Sequence, residues 1–125
     1  MLILTNAFSI NMLSKSDSYH FDKINIEQAQ DILAVREWTS AVGHADTANL
    51  FSSLLGQEVP CIRSNVNDPT TLLVGQYSGP RLQEGCTSLP EGATIQWWLV
   101  RRYRIEEEIN QLINSDLSKL TYIRL

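Results

Sequence analysis

Cysteine is scarce in this 125-residue chain, which has only Cys61 and Cys86, and two thiols make no disulfide framework. They read as reduced thiols of a cytoplasmic protein. Histidine is as sparse: His20 and His44 stand far apart, and the cysteines are 25 positions from each other. No pair has metal-ligand spacing, so a metal enzyme is not expected. No apolar run approaches the ~20 residues of a membrane-spanning helix. The start, Met1-Leu2-Ile3-Leu4-Thr5-Asn6, lacks the basic residues and long apolar stretch of a secretion signal. There is no Gly-rich phosphate loop ending in Lys-Ser or Lys-Thr, no Gly-x-Gly-x-x-Gly and no Gly-x-Ser-x-Gly elbow. Positive charge is short too: 10 Lys and Arg against 14 Asp and Glu leave a net charge of −4. That balance excludes a general binder of DNA or RNA polymers, whose affinity comes from cations against phosphate. A small anion held by a few placed arginines stays compatible with it.

What is present suffices for one domain. Hydrophobic residues make up 43% and charged residues 19%, enough apolar material for a core and too little charge for disorder. Leu2-Ile3-Leu4 reads as a short buried strand. Asn6 to Leu13 reads as a short helix capped by Asn6 or Ser9. Tyr19 to Ile26 alternates imperfectly as a strand. Glu27 to Glu37 has one apolar stripe through Ala29, Ile32 and Leu33, as an amphipathic helix does. A turn at Gly43-His44-Ala45-Asp46-Thr47 leads to a second helix with stripe Ala48, Phe51, Leu54 and Leu55 and a stop at Gly56. Ile62 to Val66 reads as a short strand, Leu72 to Tyr77 as a buried one, and Arg81 to Gly92 as a loop. Thr94 to Tyr103 is the clearest strand, with Ile95, Trp97, Trp98 and Val100. Ile105 to Leu117 returns to helical spacing. Together these predict an α/β domain with a mixed, about five-stranded sheet and helices on both faces. The domain proper is placed at residues 1–103, and residues 104–125 form a helical extension packed on it.

Three groups of residues bear on chemistry. His44 stands where a loop enters a helix. It is either a partly buried turn histidine or an acid beside a phosphate drawn to the helix N-terminus, since imidazole exchanges protons near neutral pH. Arg81 and Glu84 follow the break after a strand, where α/β proteins often place ligands. Arginine matches phosphate bidentately, yet the two side chains also suit a silent surface ion pair. Arg101, Arg102 and Arg104, followed by Glu106-Glu107-Glu108, read as a solvated strand end and helix start. Adjacent strand residues face opposite ways, so at most one of Trp97 and Trp98 can stack on a base.

The run Asn6-Ala7-Phe8-Ser9-Ile10-Asn11-Met12-Leu13 closely resembles the N-terminal signature of viral anti-CRISPR ring nucleases and their bacterial relatives. Three later segments agree in order and approximate spacing: Val42-Gly43-His44, Gly79-Pro80-Arg81-Leu82-Gln83-Glu84-Gly85, and Pro90-Glu91-Gly92-Ala93-Thr94-Ile95-Gln96-Trp97-Trp98. The likeness spans about residues 1–103. It implies an α/β homodimer, active in the host or cell cytoplasm, that degrades cyclic tetra-adenylate without metal or other cofactor. The ligand would lie across the two-fold interface. By this resemblance His44, Arg81 and Glu84 are catalytic. Asn6, Ser9 and Asn11 hold the ligand, and Thr47, Arg63 and Gln76 fall where the family contacts it. The implied reaction has a ribose 2′-hydroxyl attack its own 3′-phosphate. His44 protonates the leaving 5′-oxygen, and Arg81 steadies the phosphoryl charge. Glu84 either holds His44 protonated or orients the hydroxyl. The alternative reading is a protein that sequesters the ring without cleaving it. An insertion around Gly79-Pro80 and the residues after Tyr103 depart from the archaeal viral form.

Overall fold

The computed structural model describes residues 1–103; the extension expected over 104–125 lies outside the described residues. Five strands form one mixed sheet: β1 (Leu2–Thr5), β2 (Tyr19–Ile24), β3 (Trp38–Ser40), β4 (Thr71–Ser78) and β5 (Thr94–Arg102). Their spatial order is β2-β5-β4-β1-β3. β1 lies parallel to both β3 and β4, whereas β5 is antiparallel to β4 and β2. The helices are α1 (Ile26–Val35) and α2 (Ala45–Leu55), with a single 3-10 turn at Ile10–Met12.

Local chemistry explains the helix limits. Asn25 and Gln28 exchange side-chain and backbone hydrogen bonds of 2.7 and 2.9 Å in a capping box that starts α1. α2 ends at Gly56, whose backbone is left-handed at φ 70°, the conformation in which glycine meets no Cβ penalty.

Alternation along the strands divides the interior into two layers. Leu2, Leu4, Leu73 and Trp97 point to one face of the sheet and pack with Ala29 and Leu33 of α1 and Ala48, Phe51 and Leu55 of α2. The opposite face carries Leu72, Val74 and Val100, covered by Phe8, Met12, Tyr19, Val66 and Trp98. The two helices are therefore neighbours on one face, joined by a bond of 2.9 Å from Gln30 Nε2 to the Leu54 carbonyl. Helices were expected on both faces; among the described residues no α-helix covers the second. Residues 6–13, read as a helix, supply only a 3-10 turn and cover the second face as irregular chain.

Two further corrections concern strands. Ile62–Val66 is not a strand: it is irregular chain, anchored where Ile62 N–H donates to the Val42 carbonyl at 3.0 Å. The fifth strand is instead Trp38–Ser40, held by its parallel register with Leu2–Leu4. The β4–β5 hairpin outruns the rest of the sheet. Thr5 pairs with Val74, so Gly75–Ser78 continue past β1 with only β5 beside them among the described residues, an overhang of roughly 13 Å at ~3.3 Å per residue.

Candidate functional site

β1, β3 and β4 run in the same direction, so the chain leaves all three at one end of the sheet, where α/β folds commonly bind ligands. A cleft of about 850 Å³ opens there. Its floor comes from the exits of β1 (Thr5, Asn6, Ala7) and β3 (Ala41, Gly43, His44). One wall is Asn11 and Met12, and the other is Arg63 to Asn67.

His44 is the N-cap residue of α2, with extended backbone, and its carbonyl accepts from Ala48 N–H at 2.9 Å. Its imidazole makes no capping hydrogen bond and is exposed at the cleft. The imidazole is thus exposed where a partly buried turn histidine had been one of the two expectations. Asp46 sits in the first turn of α2 and opposes an anion at that helix end, so positive charge must come from elsewhere. Arg63 supplies it. Its Nε donates to the Gly43 carbonyl at 3.1 Å, which fixes the guanidinium beside His44 and leaves the outer nitrogens of the fork for a phosphate. Gly43 admits this packing, since a Cβ there would lie 3.2 Å from Arg63 Cγ.

Of the other residues implied by the resemblance, Asn6 and Asn11 line the same cleft. Asn6 also borders a neighbouring hollow of about 470 Å³ on the face opposite the helices, together with Gln76, Gln96, Phe8, Phe21 and Trp98. Ser9 caps the 3-10 turn, its hydroxyl accepting from Asn11 N–H at 3.2 Å. Thr47 lies in the first turn of α2, half-buried, and does not line the cleft. Arg81 and Glu84 are exposed in the loop at the hairpin tip, around a third hollow of about 550 Å³ with Gln83, Cys86 and Ser88. No ion pair joins them. Within one chain, His44 lines the first of these hollows and Arg81 and Glu84 the third.

The tryptophans separate as alternation requires. Trp97 is buried against Phe51, ring centroids 5.0 Å apart, and Trp98 is half-exposed on the other face with Lys23 Nζ 6.0 Å from its ring. Of the arginines after them, Arg101 is exposed as expected and Arg102 is not; Arg104 lies outside the described residues. Arg101 bonds Asp22 at 2.6 Å and holds its carboxyl below the ordinary carboxylate range, with help from His20. Arg102 is largely buried, 3.2 Å from the nearly inaccessible Asp17 carboxylate. Cys61 and Cys86 are both free thiols. Sequence reasoning missed the wall Ser64-Asn65-Val66-Asn67; its signal was the density of Ser and Asn, residues that favour loops over strands.

Fold and cleft together define an α/β protein with a cleft at the strand ends lined largely by polar side chains. The family model described as STIV B116-like matches residues 2–96, and the chain belongs to that family. Among solved structures it is similar to B116 of Sulfolobus turreted icosahedral virus, at 30% identity and a TM-score of 0.69, over 80% of this chain and 97% of that one. No curated protein matches the chain. No helix among the described residues is long and apolar enough to cross a membrane.

Proposed function

We propose that this chain is a metal-independent ring nuclease that converts cyclic tetra-adenylate into linear di-adenylate ending in a 2′,3′-cyclic phosphate, switching off type III CRISPR signalling. The observation that carries this reading is His44: an exposed imidazole on the floor of a polar cleft, with Arg63 fixed beside it and Asn6 and Asn11 around it. The 2′-oxygen bonds to phosphorus as the bond from phosphorus to the 5′-oxygen breaks, an intramolecular step that positioning alone favours strongly. His44 gives the leaving 5′-oxygen its proton, a role usually worth ~10²–10⁴-fold. Arg81 stabilises the charge that grows on the phosphoryl oxygens, and Glu84 acts on His44 or on the attacking hydroxyl.

The separation of His44 from Arg81 and Glu84 within one chain supports a two-fold homodimer in which a hairpin reaches the cleft of the other copy. The overhang of β4 and β5 gives it the length to project, and a C₂ interface offers the same groups to both halves of a near-symmetric ring. The same separation favours a second reading, a protein that binds the ring and leaves it intact.

Incubation with cyclic tri-, tetra- and hexa-adenylate in chelator, followed by chromatography of the products, decides between them. Linear di-adenylate from the tetramer is expected. Binding without products establishes the second reading, and activity lost in chelator but restored by a divalent ion overturns the metal-free route.

A further inference from the structure

We infer that Asp68 is a positioning residue for this site, clamping together the two segments that form the cleft walls. The inference rests on the function proposed above. Asp68 bonds through every polar group it has. Its N–H donates to the Met12 carbonyl at 2.7 Å. Its Oδ1 accepts from Ser14 N–H at 3.0 Å, and its Oδ2 accepts from the Ser14 hydroxyl at 2.6 Å. Its carbonyl accepts from Arg102 Nη2. One residue thus ties the segment that carries Asn11 and Met12 to the segment Arg63–Asn67 and anchors the junction on β5.

The backbone is shaped for this. Asp68 is the single non-glycine among the described residues with positive φ, at 45°. Aspartate and asparagine tolerate that region better than other side chains. Asp68 does not itself line the cleft, so its part is to fix the width between the walls. The Ser14 bonds, with smaller contributions from the charges of Arg102 and Lys15, hold its carboxyl below the ordinary range, so both oxygens accept at neutral pH.

The test separates the clamp from the backbone. Asp68→Gly keeps the left-handed conformation and removes the side chain. Asp68→Asn keeps the conformation and one acceptor oxygen, and Ser14→Ala removes one bond. Asp68→Gly is expected to raise KM for cyclic tetra-adenylate about tenfold with kcat within about twofold of the parent, since loosened walls lose ground-state and transition-state binding alike. Asp68→Asn and Ser14→Ala should fall between it and the parent. Amide hydrogen exchange should quicken in residues 9–14 and 64–68 and stay unchanged in α2. An unchanged KM with parent-like exchange overturns the clamp, as does a fall in kcat with KM constant. A parent chain that turns over no ring overturns the proposed function instead, and the exchange experiment still reads the clamp itself.

Discussion

Gly75 should not accept even a methyl group. A Cβ built there would lie 2.5 Å from Trp97 Cζ3, 2.7 Å from Phe51 Cζ and 2.9 Å from Trp97 Cη2, where ordinary contact begins near 3.4 Å. Neither ring has room to yield: Phe51 is 0% and Trp97 4% exposed. Overpacking of this kind costs about 1–3 kcal/mol. Against it, alanine restricts the unfolded chain and returns about 0.4–1 kcal/mol. Mid-range values of the two leave an expected net loss of about 1.3 kcal/mol for Gly75→Ala. At this chain length that lowers the melting midpoint by about 4–10 °C. Calorimetry of the parent, Gly75→Ala, Phe51→Leu and the double variant measures it. The double variant should recover about 1 kcal/mol of the sum of the single losses, because shortening Phe51 opens the space the methyl needs. A midpoint equal to or above that of the parent for Gly75→Ala alone would refute the reasoning.

Three other outcomes follow. His44→Ala should lower turnover of cyclic tetra-adenylate by ~10²-fold or more while equilibrium binding of the ring survives, since a general acid acts in the transition state; parent-rate cleavage would displace His44 from the role. An equal mixture of His44→Ala and Arg81→Ala chains, each nearly inactive alone, should regain about a quarter of parental activity: half the dimers are mixed and each mixed dimer holds one intact composite site. No regain places His44 and Arg81 of one site on the same chain. Asp22 and Asp68 both have native pKa values below the ordinary 3.8, so the folded chain binds their protons more weakly than the unfolded chain. Their stabilisation is complete above that value and is lost as pH falls through the lowered native values. Melts between pH 6 and pH 2 should show a shallower acid slope in Asp22→Asn and in Asp68→Asn than in the parent.

Strands with their own hydrophobic signal were legible in the sequence: Leu2–Thr5, Thr71–Ser78 and Thr94–Arg102 all sit within a residue or two of where branched and aromatic residues placed them. Both helices were legible as well, because each has a buried stripe and α2 has a glycine stop. Trp38–Ser40 was not. Three residues with no alternation become a strand only because Leu2–Leu4 lies alongside, a long-range cause with no local trace. The converse holds for Ile62–Val66, strand-like in composition but given no sheet neighbour. Nor does a helix stripe say which sheet face it will meet; the placement of α1 and α2 side by side is settled by connection and packing. In the site, His44 was readable from its place before a helix. Arg63 depends on a contact with Gly43 across 20 positions, and Asp68 depends on Ser14 across 54. Such pairs exist only once the chain has folded.

The β4–β5 overhang has a consequence for how such a protein can diversify. Beyond Gly75 the two strands of the hairpin pair only with each other among the described residues, and its tip carries Arg81 and Glu84 while the buried layers stop short of it. Lengthening a flexible loop is thermodynamically cheap, about 0.6 kcal/mol for each doubling. Residues 81–92 can therefore be lengthened, shortened or rewritten with little tax on folding, whereas Gly79 is fixed by its close approach to Ala93. The floor around His44 has no such latitude, because it is built from strand exits and a helix cap. Relatives should accordingly differ most in length at the tip and least at the floor.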